Sequence, residues 1–566
     1  MATTPLFQLT YPSQPLSLIL TPAVLLALVL AVTRAYTTLK YRWALSQHRS
    51  CASNKSSTPT SPPQIPYTIP ILGNALSFLA PKPGLFFTNL FKAHPRTTGA
   101  CTLLLGGRKT NVLFSPSAVQ ALFKSRGTSR DIFNHLVLAN SFDCGREDLA
   151  KAYGLDGTGK KRTYEKIELD PIHMHERINS DKLLRAEGVN ELTSVFMSVF
   201  SERLTYEIPT PGQTQEVGLY VWLQAHVFKA SVNALMGSRL LELYPTLEHD
   251  FFSFDRYMMT MFFGIPNFIA PQAYRVRTKT LDGIVQWHNK LQEEGNGTPV
   301  DPDGDVKWEP NYGSRMNRAR QVFYKTIGLS IKGKASFDLG IMFALLSNTT
   351  PAVGWTLMHL FNPTGDTTLL PRVMAELSTA RRSDGSLDIP TLISLPLLQS
   401  IFQEVLRLYT DVLVSREADH DLVLPIEDGG SVLIKKHSIV MAPTWLGHYD
   451  AEVWSTESHP FDSFYAERFL TTNADTGKQV FTMNGTAGKL FPFGGGKSIC
   501  PGRVFAKQEV FVAVALILLD FDFEVLGYVE ENGKPRTKFP GLRDAYAGSG
   551  VMAIDGDIRV RMKRRE

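Results

Sequence analysis

The chain has 566 residues, 43% hydrophobic and 20% charged, with 59 Lys+Arg against 54 Asp+Glu for a formal net charge of +5. This composition is ordinary for a globular protein with a large core, and so small a net charge gives no argument for a nucleic-acid partner. Cys51, Cys101, Cys144 and Cys500 are too dispersed for a disulfide framework, which suits a reducing compartment.

Residues 1–15 form a short N-terminal segment, and 16–33 (LSLILTPAVLLALVLAVT) carry no charge. Arg34, Lys40, Arg42 and Arg49 follow, so the stretch reads as one transmembrane anchor whose basic flank favours the cytoplasmic side. A cleaved signal peptide is the competing reading, but no Lys or Arg precedes the apolar run. Residues 34–61 read as a basic and polar linker that becomes proline-rich and stiff toward Pro70. No long low-complexity linker follows, so 62–566 is expected to be one main domain.

Between residues 95 and 190, strand-like pieces at Cys101 and Thr110 alternate with helical ones, and a polar excursion starts at Asp156. His173 and His175 read as exposed loop residues there. From Asn190 to Ser330 the pattern is mostly helical, with an apolar cluster (Phe251, Phe252, Phe254, Tyr257, Met258 to Phe263) that belongs to the core or lines a pocket. Phe337 to Phe361 is apolar nearly all round, as a helix through the middle of a protein must be. Pro351 cannot donate to the Ser347 carbonyl, so this helix is expected to open into a polar notch beside Ser347, Asn348 and Thr349.

Leu395 to Thr410 is a further helix, with Pro396 suited to its first turn and Glu404 and Arg407 three apart on one face. Arg416 lies in a turn leading into a strand, and Val432 to Met441 reads as two short strands around a basic turn. In Phe491 to Val510 (FPFGGGKSICPGRVFAKQEV), Gly494, Gly495 and Gly496 let the backbone take positive φ and pass close to a flat ligand, and Gly502 keeps the far side of Cys500 uncrowded. Helical periodicity begins at Val504, placing Cys500 just before a helix N-terminus that favours a thiolate. With no second cysteine or histidine at zinc spacing, that thiolate suits a single axial bond to haem iron. Phe521 to Leu526 and Ile558 to Met562 alternate as strands of a small sheet, joined through a flexible turn at Ala547 to Met552.

The cysteine stretch resembles the haem-binding signature F-x-x-G-x-R-x-C-x-G of the cytochrome P-450 superfamily, through Phe493, Gly496, Cys500 and Gly502. Ser498 stands where most members carry Arg or His, so Lys497, Arg503 or another cation must hold that haem propionate. The resemblance assigns the E-x-x-R pair to Glu404 and Arg407, the E-R-F arginine to Arg468, a propionate contact to Arg416, and the oxygen groove to Asn348 and Thr349. Leu346 replaces the usual glycine of that groove, Ala466 replaces a proline, and no W-x-x-x-R helix is found. The N-T-x-P-A variant is similar to the branch containing cholesterol 7-alpha-hydroxylase, sterol 12-alpha-hydroxylase and prostacyclin synthase.

What the resemblance implies is a mainly α fold with small β-sheets, the P-450 prism, behind one transmembrane helix. It implies heme b with Cys500 as axial ligand, and a monooxygenase that oxidises a lipophilic sterol, terpenoid or polyketide-like metabolite with O2 and NADPH-derived electrons. Electrons would come from NADPH-cytochrome P-450 reductase or a cytochrome b-type donor, docked on a basic face around Lys497, Arg503 and Lys507. The enzyme would sit in the endoplasmic reticulum membrane with its catalytic domain cytoplasmic. Two rivals are an isomerase or dehydratase working without external electrons, and a haem protein without catalysis.

Overall fold

The computed structural model describes residues 15–53, 58–94, 99–208, 210–427 and 430–565; residues 1–14 of the N-terminal segment and 54–57 of the expected linker lie outside these. Helices carry about half of the chain and small sheets edge it, in keeping with the mainly α reading.

The first helix runs without a break from Pro15 to Ser53. Its stretch Pro22–His48, which holds an 18-residue window of mean hydropathy 1.6, is the one candidate membrane span among the described residues. The expected linker 34–61 therefore needs correcting, because 34–53 continue the helix. Its polar residues find partners on the body of the protein: Arg34 donates to the Pro66 carbonyl (2.9 Å) and Thr37 to that of Tyr67 (3.0 Å). Tyr41 is buried and shares a hydrogen bond with His94 (3.0 Å). The proline-rich part is laid along a sheet, where Ile65 N–H donates to the Thr102 carbonyl (2.9 Å).

The main core lies between helices Ala186–Glu207, Leu219–Met236, Ile331–Leu360 and Arg503–Asp520. Ile331–Leu360, the central helix, starts on a Ser330 hydroxyl that accepts from the Gly333 N–H, satisfying one of the free donors at the helix end. Its second half is almost wholly buried, and a Cβ on Gly354 would come 2.8 Å from the Tyr220 ring, so that contact requires glycine. Contrary to expectation, Pro351 does not open the helix. Instead the Ser347 and Thr349 hydroxyls turn back onto the carbonyls of Phe343 (2.5 Å) and Leu345 (3.0 Å), as buried hydroxyls in helices do.

Hairpin Ala100–Leu105 and Arg108–Leu113 enters a five-stranded sheet with Ile439–Pro443, Leu413–Ala418 and Thr128–Ser129. The expected strand pair around the basic turn is present as Ser431–Ile434 and Ile439–Pro443, but each pairs elsewhere. Phe521–Val529 and Asp557–Arg564 form the C-terminal sheet in register Phe521↔Arg564. Thr214–Gly218, inside the region read as helical, adds an edge strand to it. The turn at Ala547 to Met552 is not free: Gly550–Val551 pairs with Thr410–Asp411.

Candidate functional site

Cys500 sits half-buried on the loop before helix Arg503–Asp520. The Cys500 N–H donates to the Phe493 carbonyl (3.0 Å), and Arg503 Nη1 donates to the Cys500 carbonyl (3.0 Å). The glycine run is needed for two separate reasons. Gly494 and Gly496 have positive φ (71° and 68°), whereas Gly495 is extended. Cβ atoms on Gly495 and Gly496 would also lie 2.2 Å from the Phe123 ring and 2.0 Å from the Phe123 carbonyl, so helix Pro116–Lys124 and its last residues press on the loop. A Cβ on Gly502 would meet only the Cys500 Sγ, at 3.8 Å.

Burial raises the Cys500 thiol above its ordinary range, while N–H groups of Gly502 and Arg503 and the charges of Arg130 and Arg503 pull it down. The helix end alone therefore does not establish the thiolate; a bound cation would have to complete it.

A pair of arginines stands beside the loop. Arg130, absent from the sequence reading, donates from Nη1 to the Ser498 carbonyl (3.3 Å). Arg416, 8% exposed, donates to the carbonyls of Ser415 (2.9 Å) and Gly495 (3.4 Å). Burial first and Arg130 second lower the Arg416 guanidinium to about 10, and neither arginine makes an ion pair among the described residues. Two neighbouring guanidiniums without a carboxylate form a site for anionic groups. With Cys500 on the same loop, these residues fit a flat dianionic cofactor taking one axial thiolate, haem, and Arg130 stands where Ser498 leaves a cation missing.

His175 is on helix Pro171–Asn179 rather than in a loop, stacked on Phe323; burial, then Arg320 and Arg130, lower its imidazole to about 4. His173, on the same helix, lines a separate small cavity. Lys497 is exposed, but Lys507 turns inward to Gln399 (2.7 Å), with burial lowering its amine to about 8, so it adds nothing to an outer basic face.

Glu404, Arg407 and Arg468 meet in the interior. Glu404 and Arg407 are fully buried, and the carboxylate receives Arg407 Nε and Nη2 (both 2.8 Å), Arg468 Nε (2.9 Å) and the Tyr465 N–H (3.1 Å). Arg407 also donates to the His448 carbonyl (2.9 Å), and His448 Nε2 accepts from the N–H of Phe491 (3.1 Å), where the cysteine loop begins. This links the ion network to the loop through His448, a residue without a sequence signal of its own.

On the central helix, Asn348 and Thr349 face different ways. The Asn348 Oδ1 accepts from Val551 N–H (3.0 Å), pinning the 550–551 strand, while its Nδ2 donates to Ala344 (3.0 Å). Thr349 is buried, and its hydroxyl also lies by Glu509, whose carboxyl accepts from the Ser231 hydroxyl (2.5 Å). Burial raises the Glu509 carboxyl to about 7, and its Oε2 has no close hydrogen-bond partner among the described residues. Neither Asn348 nor Thr349 lines the adjoining cavity of about 340 Å³; Phe343, Ser347 and Pro351 do, opposite Phe252, Met258 and Met259.

The family model described as cytochrome P-450 matches residues 63–542. The chain is 31% identical over 509 residues to cytochrome P-450 monooxygenase calL of Penicillium decumbens, covering 87% of this chain and 91% of that one. It is 29% identical to cytochrome P-450 monooxygenase efuG of Hormonema carpetanum over 96% of each chain. Cholesterol 7-alpha-monooxygenase of Cricetulus griseus is 28% identical over 73% of this chain and 78% of its own.

Proposed function

The chain belongs to the cytochrome P-450 family and is a monooxygenase by kind, and from that premise we propose that it is a membrane-anchored enzyme oxidising a lipophilic sterol, terpenoid or polyketide-like metabolite. The observation that carries this reading is the loop of Cys500 flanked by two guanidiniums without carboxylates. When bound there, haem supplies reductive O2 activation and C–H oxidation through a thiolate-ligated iron.

The roles of the residues follow from their positions. Cys500 would provide the thiolate and Arg130 and Arg416 would hold the two haem carboxylates, while Glu404, Arg407 and Arg468 keep the loop in place through His448. Thr349 holds a hydroxyl at the central helix, with Glu509 behind it as a buried acid that retains its proton to about pH 7. Asn348 positions the 550–551 strand instead of water. The apolar walls of the cavity exclude water and favour an apolar skeleton. The helix at Pro22–His48 supports a membrane anchor, with a reductase of the endoplasmic reticulum membrane giving NADPH-derived electrons at Lys497 and Arg503.

Reduced protein with carbon monoxide is expected to give a thiolate-type Soret band that Cys500→Ser removes, and purified protein with reductase and NADPH to oxidise a lipophilic substrate. An unchanged band in the variant removes Cys500 from the iron. Product formed without NADPH favours the isomerase or dehydratase alternative.

A further inference from the structure

The cavity over the central helix is apolar along most of its wall, but one end is built from Asp255, Arg543 and Tyr220, with Arg256 and Asp544 also in the lining. Arg543 Nη2 meets Asp255 Oδ2 at 3.3 Å, with the two side chains only 19% and 15% exposed. Asp255 Oδ1 has no hydrogen-bond partner among the described residues. Burial raises the Asp255 carboxyl above its usual range, against the pull of Arg543.

The charge balance of this end decides what it accepts. Arg543 and Asp255 neutralise one another, Arg256, which also lines the cavity, is paired with Glu531, and Asp544 adds a further carboxylate to the lining. A substrate carboxylate would bring a negative charge beside Asp255 with no cation left to match it, and burying an unmatched charge is costly. A hydroxyl changes no charge: its O–H donates to Oδ1 and its lone pairs accept from the guanidinium. A site with such groups also discriminates strongly against a ligand that leaves them unpaired.

We propose that Asp255 and Arg543 form a hydroxyl-recognition subsite, so the substrate is a lipophilic alcohol. Its hydroxyl sits at this end and its apolar skeleton runs along Phe343 and Pro351 toward the central helix. This names the substrate class of the oxidation proposed above and rests on that reading for the cavity's identity.

Calorimetric titration of the haem-loaded full chain tests it, using dehydroabietol, its methyl ether and dehydroabietic acid, with cholesterol and its 3-methyl ether as a second pair. At least one alcohol is expected to bind about tenfold more tightly than its ether, the loss expected for a hydrogen bond to a charged group, and dehydroabietic acid more weakly than dehydroabietol. In Asp255→Asn, Arg543 is left unmatched, so the gap narrows and the acid gains. Equal binding of alcohol and ether in both pairs, no binding by either alcohol, an acid that binds most tightly in the wild type, or a ranking unchanged by Asp255→Asn overturns the subsite. The oxidation reading fails on different grounds: an alcohol preference that persists without the carbon monoxide band or reductase-dependent turnover keeps the subsite and removes the monooxygenase.

Discussion

The two sides of the site are built by opposite rules. On the cysteine side the carboxylate of the ion network is matched at both oxygens: Glu404 takes both arginines and a main-chain N–H, and Arg407 carries the network through His448 to Phe491, with only the His448 Nδ1 of this link unpartnered among the described residues. On the central-helix side polar groups are left partly unmatched, as Glu509 Oε2 and Asp255 Oδ1 are. A buried polar network that is fully satisfied rigidifies its surroundings, and one with open valences waits for a ligand or a proton. The contrast places rigidity where a cofactor is held and unmet hydrogen bonding where substrate and protons are handled.

The comparison breaks most severely at Glu404. Glu404→Gln removes the charge shared by two buried arginines, which costs about 3–5 kcal/mol when the partner charge stays buried. The expected outcome is a chain that does not retain haem, read as haem bound per chain, with Arg407→Ala equivalent. A variant that keeps its full haem content would show that the ion network does not hold the loop.

A smaller effect is expected at the arginine pair. Arg130→Ala and Arg416→Ala each remove one cation from the anion site and should raise the rate of haem loss to apomyoglobin by about tenfold, a charge-assisted hydrogen bond's worth. Ser498→Arg placed on Arg130→Ala should restore retention, because it returns a cation to the same loop carbonyl region. Unchanged loss in both single variants would mean the carboxylates are held elsewhere.

The smallest effect sharpens the other side. The Glu509 carboxyl is raised in the fold, so it stays protonated up to about pH 7 and can donate toward Thr349 below that pH, a capacity lost as pH rises through 7. Product per NADPH should therefore fall across that window, and Glu509→Gln, which is always neutral, should flatten the profile. Thr349→Ala should divert electrons to peroxide at all pH values by a few fold, with substrate binding kept. A pH-independent yield in the wild type separates Glu509 from proton delivery.

Much of this was legible along the chain, because it is written in local spacing. Cys500 with its glycines, the i,i+3 pair of Glu404 and Arg407, the Pro396 helix start and the central helix, read from Phe337 to Phe361 and observed from Ile331 to Leu360, each depend on neighbours within a few residues. The polar linker misread as such, 34–53, shows the converse: its helix is completed by contacts to Pro66, Tyr67 and His94 that lie outside any local window. Thr214–Gly218 escaped for the same reason, as a five-residue edge strand whose partner lies in the last residues of the chain.

The sequence by itself determined the i,i+3 pair of Glu404 and Arg407 and which family the cysteine loop resembles, since each is a matter of type and short spacing, whereas Arg468, 64 positions from Glu404, was reached only through that resemblance. Only the tertiary structure decided that Arg130 meets Ser498 and Arg416, that Asn348 holds Val551 while Thr349 turns to Glu509, and that Asp255 meets Arg543 across 288 positions. Burial and through-space charge set those roles, and neither is a property of any one stretch of chain.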